Sequence, residues 1–307
     1  MGRGSILVTG GAGYIGSHVV LQLRERGEAV VVLDDLSRGF RQSVGETPLV
    51  VGDIGDRQRV SEVLRDYGVD TVMHFAAFTI VPESVRDPLK YYANNVCGTR
   101  NLLQCCAESG VRHFVFSSSA AVYGTPAADL AAEDSPTAPI NSYGTSKLIS
   151  EWMLRDLAHA TALRYVALRY FNVAGSDMGG RIGQATPGAT LLIKVASEVM
   201  VGKRPHVSIF GTDYPTPDGT AIRDYIHVED LASAHVRALD YLDKGGANIA
   251  VNLATGRGYS VREIIAAVAR AAGRAVPQRE TARRPGDPAS LVADPSLARS
   301  VLGWQAK

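Results

Sequence analysis

The sequence predicts an α/β fold, a doubly wound parallel sheet followed by a smaller, irregular C-terminal region. Three observations predict it. Short β-branched runs alternate with longer stretches of helical periodicity through Leu168, the pattern of successive βαβ units. A glycine cluster falls between the first such strand and the first helix. Beyond Asn172 the alternation stops, and Gly175, Gly179, Gly180, Gly183, Pro187 and Gly188 crowd a stretch that reads as a long loop of the kind that usually serves function.

Residues 6–8 open the sheet. A helix over 13–26 follows, because Ile15, Val19, Val20 and Leu23 recur on one face and Gly27 stands where a left-handed cap is expected. The second strand covers 29–33, a third precedes Asp53, a helix covers 57–67 and a strand covers 71–75. A long helical stretch after Pro88, a strand at 114–116, a helix over 143–157 and a strand at 165–168 complete about six parallel strands before residue 172. Helical patterns recur at 190–201, 229–242 and 261–272, and Pro285, Gly286 and Pro288 interrupt the end. The implied organisation is a dinucleotide-binding domain over 1–171, to which the chain returns near 225–255, with 172–224 and 256–307 forming a substrate-binding region folded over the sheet's carboxyl edge.

Composition narrows the class. A chain of 307 residues with 46% hydrophobic residues can build a large core. Its 32 basic and 31 acidic residues nearly cancel, so no global positive field favours nucleic acid or an anionic membrane over a small molecule. Three cysteines, Cys97, Cys105 and Cys106, lack metal-ligand spacing and suit a reducing cytoplasm. No leader and no apolar run of spanning length is expected. His18, His74 and His227 belong to seven dispersed histidines, and no metal is expected.

The run T-G-G-A-G-Y-I-G places Gly10, Gly13 and Gly16 three apart between strand and helix, with Tyr14 and Ile15 between the last two. Glycine permits the tight turn and lets backbone N–H groups approach a pyrophosphate at the positive helix end. Asp34 and Asp35 follow the second strand, where a carboxylate accepts from a ribose 2′-hydroxyl and repels a 2′-phosphate, so NAD is favoured over NADP. Arg38 nearby complicates that choice and reads equally as a solvated loop arginine. Asp53 in G-D-I, next to Ile54, is a candidate adenine contact or a turn residue ahead of Asp56.

A second constellation carries chemistry. Ser119 ends a strand in S-S-S-A-A-V-Y-G, and Tyr143 and Lys147, four apart, share a helix face. A phenol titrates near 10 and needs a downward shift of roughly three units to act as a base at neutral pH. Lys147 and an oxidised nicotinamide ring are expected to supply that positive potential, and Ser119 to orient the reacting oxygen.

With these residues the chain resembles the extended short-chain dehydrogenase family and, within it, the UDP-glucose 4-epimerases. The resemblance runs through G-G-A-G-Y-I-G-S-H at 10–18, H-F-A-A at 74–77, Y-Y-A-N-N-V at 91–96, S-S-S-A-A-V-Y-G at 117–124, L-R-Y-F-N at 168–172, R-D-Y-I-H-V-E-D-L-A at 223–232 and R-R-P-G-D at 283–287. It implies a Rossmann-type fold and an NAD retained through turnover, with Phe75, Ala76, Ala77, Asn94 and Tyr170 along the cofactor cleft. It also implies a UDP-sugar held by Asn172, Phe210, Arg223, Arg284 and Asp287. That set agrees with the chemistry of arginine forks for a diphosphate and an aromatic face for uracil. Relatives are commonly homodimers, with helices near 88–109 and 141–160 available for pairing.

The chain departs from the pattern in places. Thr79 stands where many relatives carry lysine, Leu191 where they carry asparagine or histidine, and relatives continue beyond L-G-W at 302–304. Leu291, four positions past Asp287, matches the site where tyrosine tends to exclude a 2-acetamido group; leucine should admit it in part, unless it only packs in the core. The expected reaction is 4-epimerisation of a UDP-sugar, chiefly UDP-galactose and UDP-glucose, through a transient 4-keto sugar. Ala120 and Ala121 replace the Asp-Glu pair of the related dehydratases, a UDP-glucuronate or UDP-pentose epimerase is a nearer rival, and a non-catalytic NAD-binding protein would not need Ser119, Tyr143 and Lys147 together.

Overall fold

The computed structural model describes residues 4–126 and 130–307. The six early strands are β1 (Ser5–Thr9), β2 (Val30–Asp34), β3 (Leu49–Val51), β4 (Val69–His74), β5 (His113–Ser117) and β6 (Arg164–Tyr170). They pair in parallel throughout. Later come β7 (Asn172–Ala174), β8 (Val207–Phe210), β9 (Ile222–His227), β10 (Ile249–Leu253), β11 (Gly258–Ser260), β12 (Gln278–Thr281) and β13 (Ser290–Leu291). Only β10 among them joins the main sheet, whose seven strands run β10-β6-β5-β4-β1-β2-β3. The chain leaves β1 towards β2 on one side and returns to β4 on the other, so the strand order reverses between β1 and β4. In an open parallel sheet that reversal leaves a crevice at the carboxyl ends.

The helices are α1 (Tyr14–Glu25), α2 (Arg57–Asp66), α3 (Val81–Arg86), α4 (Pro88–Tyr91), α5 (Thr99–Glu108), α6 (Ser142–Ala160), α7 (Leu192–Met200), α8 (Val228–Asp243), α9 (Val261–Ala272) and α10 (Ser296–Leu302). Alternation along β1 assigns them to layers. Ile6 and Val8 face α1, α8 and α10, packing with Val19, Leu23, Leu231, Leu239 and Trp304, whereas Leu7 faces α2, α5 and α6 through Val60, Leu64, Leu102 and Leu154. The central strands β1 and β2 are thus covered on both faces, which is why these segments are continuous apolar runs.

The helical stretch after Pro88 is not uniform. Between α4 and α5 the backbone widens into a π-helix over Tyr92–Gly98, a form frequent at functional sites. The C-terminal region is more ordered than its glycine content suggests: β9 is flanked by β11, β13 and β7 in one small sheet, and β8 pairs with β12 in another. Strands of two to four residues carry no readable alternation, and each finds its partner in a distant segment.

Candidate active site

The glycine loop runs from the end of β1 into α1. Gly10 has φ +70°, and a Cβ there would stand 2.5 Å from the Ala76 nitrogen; one on Gly16 would stand 2.3 Å from the Gly10 carbonyl. Only glycine lets these backbones meet. Gly13, the N-cap of α1, gives the helix no side-chain cap, so the first-turn N–H groups face the crevice. At the end of β2 the buried Asp34 carboxylate accepts from the Ala12 N–H at 2.9 Å and the Leu36 N–H at 2.9 Å, and Leu36 takes a left-handed φ of 59° to donate. Burial holds the Asp34 carboxyl above its ordinary range, against both bonds. Asp35 is turned to Ser37, accepting from its N–H at 2.9 Å and its hydroxyl at 2.6 Å.

Two cavities adjoin here. The smaller, about 100 Å³, is lined by Asp34, Asp35, Asp53, Ile54, Ala76 and Asn94, and it shares Gly10, Gly13, Arg38, Phe75 and Ala77 with a larger one of about 570 Å³. The bare loop, the uncapped helix end and the carboxylate past β2 fit a dinucleotide lying across both. Asp53 lines this cleft, and its carboxylate closes a turn by accepting from Gly55 N–H at 2.7 Å. Asn94 donates to Asn95 at 2.9 Å.

The larger cavity brings Ser119, Tyr143 and Tyr170 to the residues expected to hold a substrate. Ser119 starts a short turn after β5, where its oxygen accepts from Ala121 N–H at 3.2 Å. Tyr143, in the first turn of α6, is 7% exposed. Burial pushes its phenol up, and the hydrogen bond with Ser119 pulls the other way. Lys147 lies one turn on, 2% exposed, and lines neither cavity. Its ammonium donates to the Ser117 carbonyl at 2.8 Å and sits 4.9 Å from the centre of the Phe116 ring. Burial lowers it to about 7, with the Glu151 charge opposing. Within the protein burial is the largest influence on Tyr143, and the positive potential of an oxidised nicotinamide ring lies outside this balance.

Asn172 begins β7 and pairs with Tyr225 of β9; Phe210 ends β8; Arg223 lies on β9 opposite Leu291 of β13. Arg223 donates to the Ile222 and Pro288 carbonyls, each at 2.7 Å. The Arg284 guanidinium carbon sits over the Phe210 ring, 3.6 Å from its centre, so one face of the ring is taken. Burial lowers both guanidinium groups, and Asp287 opposes in each case. Leu291, 9% exposed, packs with Leu148 and Phe171 and also borders the cavity, as do Thr79 and Leu191.

Several contributors escaped the sequence reading. Ser117 shares a 2.7 Å hydrogen bond with the Tyr170 hydroxyl, Ser118 donates to Glu151 at 2.5 Å, and Glu151 is ion-paired with Arg169 at 2.6 Å. The spacing that linked Tyr143 to Lys147 could have flagged Glu151, one turn further on. Asn95, in the π-helix, clamps Phe78 from both sides, accepting from its N–H and donating to its carbonyl at 2.9 Å each, and donates to Ser146 at 3.0 Å. Nothing in its neighbourhood in sequence marks that role. Tyr14, already singled out in the glycine run, also donates to the Gly175 carbonyl at 2.7 Å and so ties the glycine loop to the long loop after β7. Among the described residues there is no group of three or more His, Cys, Asp or Glu placed to hold a metal, and no helix long and apolar enough to cross a membrane.

A Rossmann-type crevice with a glycine loop, opening onto a Ser, Tyr and Lys constellation and two arginines, defines a nicotinamide-dinucleotide enzyme of the extended short-chain dehydrogenase type. The chain belongs to the NAD dependent epimerase/dehydratase family, whose profile matches residues 6–254. It is 54% identical to the UDP-glucose 4-epimerase of Azospirillum brasilense over 303 residues, 98% of this chain and 87% of that one. The crystal structure of UDP-glucose 4-epimerase from Brucella ovis in complex with NAD is 48% identical, with a TM-score of 0.96 over 99% of this chain and 94% of that one. The UDP-Glc/GlcNAc 4-epimerase of Campylobacter jejuni is 45% identical, with a TM-score of 0.86 over 100% of this chain and 94% of that one.

Proposed function

We propose that the chain is an NAD-dependent UDP-glucose 4-epimerase that interconverts UDP-galactose and UDP-glucose. The observation that carries this reading is one cavity joining the glycine loop, Ser119 and Tyr143 to Phe210, Arg223, Arg284 and Asp287. Bound NAD supplies the hydride acceptor, and later the hydride donor, for C4 of the sugar. Tyr143 takes the proton of the 4-hydroxyl as the carbonyl forms and gives it back to the same oxygen when hydride is delivered to the opposite face of C4, and Ser119 orients that oxygen by hydrogen bonding. Arg223 and Arg284 grip the diphosphate while the 4-keto ring turns about its phosphate linkage, so the nucleotide stays fixed and the hexose does not. Ala120 and Ala121, both facing the cavity, offer no carboxyl acid for eliminating water.

We infer that the working form is a cytoplasmic homodimer. Support comes from Leu89, 76% exposed, and Trp152, 46% exposed, on the two helical segments expected to pair, and from three unpaired thiols. Purified protein incubated with UDP-galactose, UDP-glucose, their N-acetyl counterparts, UDP-glucuronate and UDP-pentoses, followed by separation of the epimers, tests the assignment. Rapid interconversion of UDP-galactose and UDP-glucose is expected. Conversion of only an acidic or pentose sugar would replace it.

A further inference from the structure

Behind Ser119, Tyr143 and Lys147 lies a buried ion pair to which the motifs give no work. Glu151 of α6 and Arg169 of β6 each have side chains 8% exposed. Arg169 Nε donates to Glu151 Oε1 at 3.0 Å and Nη2 to Oε2 at 2.6 Å, and Ser118 Oγ donates to Oε1 at 2.5 Å. The remaining guanidinium nitrogen reaches the Tyr123 hydroxyl at 3.0 Å and the Glu133 carbonyl at 3.3 Å, and Tyr123 in turn donates to Asn252 at 2.7 Å. A fully bonded buried pair gains little over apolar filling of the same space. Its location is therefore more informative than its strength.

The three consecutive serines at the end of β5 divide their labour. The Ser117 carbonyl accepts from Lys147 and its hydroxyl meets Tyr170; Ser118 donates to Glu151; Ser119 is bonded to Tyr143. We propose that Glu151, held by Arg169 and Ser118, is a positioning residue for the reaction: it fixes the strand end presenting Ser119 against the helix presenting Tyr143, and it keeps the Lys147 amino group cationic during turnover. The activity half of this proposal rests on the epimerase reading.

Groups from α6, β4, β5 and β6 surround Lys147. On its own helix stand Tyr143 and Glu151. From β4 comes His74, kept neutral by burial and the lysine's own charge, which lower it to about 3. From β5 come the Phe116 ring and Ser117 carbonyl, and from β6 come Tyr170, reached through Ser117, and Arg169, bound to Glu151. Glu151 is the anion of this set, and it acts against the burial that would strip the proton.

The test titrates Lys147 in the NAD-loaded enzyme by NMR of ¹³C-labelled lysine, assigned through loss of its resonance in Lys147→Met, beside the pH profile of kcat. Glu151→Gln keeps the shape and an acceptor for Ser118 but deletes the charge. The Lys147 midpoint should fall by about half a pH unit or more, roughly threefold in proton affinity, and the alkaline limb of kcat should fall with it. Arg169→Met leaves the anion unopposed and should move the midpoint upward, so whichever variant folds decides the charge role. Ser118→Ala cuts the link to the strand end and should lower kcat about tenfold with KM and the Lys147 midpoint unchanged, the loss of one positioned contact. A midpoint that stays put in folded Glu151→Gln or Arg169→Met overturns the electrostatic role, and full kcat in Ser118→Ala overturns the positioning role. The lysine titration needs no turnover, so wild-type protein inert on UDP-sugars would sink the epimerase reading without deciding Glu151.

Discussion

Tyr143 works against its own surroundings, since burial disfavours the phenolate and the Ser119 hydrogen bond is the counterweight within the protein. Tyr143→Phe removes the proton acceptor and leaves the glycine loop untouched. Initial rates should fall by about 10²–10⁴-fold, while denaturation of the variant should still release its dinucleotide; near-normal turnover would remove Tyr143 from the base role. Leu291 is a residue with two uses, packing on Phe171 and bordering the cavity opposite Arg223. Some activity on UDP-N-acetylglucosamine is expected beside efficient use of UDP-galactose. Leu291→Tyr should cut kcat/KM for the acetamido sugar about tenfold more than for UDP-galactose, a discrimination typical of a changed pocket wall. An unchanged ratio would show that Leu291 only packs.

At the scale of elements, the junction of β1 and α1 depends on closeness that side chains forbid. Gly16→Ala would drive a methyl to 2.3 Å from the Gly10 carbonyl, so α1 must move away from the loop. We expect a stability loss of about 1–3 kcal/mol, as for other overpacked sites, and a fall in the dinucleotide carried per chain. Thermal unfolding and absorbance of the released cofactor measure both, and full occupancy would show that the loop absorbs the methyl. This junction was legible because its signal is local: three glycines, one turn, one helix start. The π-helix was not, because the Asn95 clamp is made with Phe78 and Ser146, which its own neighbours do not announce.

At the scale of the whole molecule, burial lowers three interior histidines, His18, His74 and His235, the last two most strongly. His74 bonds Thr9 at 2.6 Å and Thr99 at 2.9 Å, and His235 bonds the Leu231 carbonyl at 2.9 Å while its ring lies 4.7 Å from that of Phe75. Burial lowers them from an ordinary 6.5 to about 3 and about 4. As pH falls below 6.5 the unfolded chain binds protons that the folded chain refuses, so their stabilising contribution is complete above that value and is lost as pH falls towards 3 to 4. The melting temperature should decline from pH 7 to pH 5, and His235→Leu should flatten that decline; equal slopes in variant and wild type would place the acid sensitivity elsewhere.

The sequence by itself determined the alternating architecture, the glycine loop, and the presence of Ser119, Tyr143 and Lys147 on a strand end and a helix face. Each of these is a short-range pattern, set by backbone sterics or by helical repeat. Tertiary structure alone decided the rest: the place beside β6 that β10 takes within the expected return, Leu291 coming opposite Arg223 through the pairing of β13 with β9, Lys147 turning to Ser117, and Glu151 meeting Arg169. Such contacts join residues far apart in the chain, and their energetics depend on burial, which no local spacing encodes.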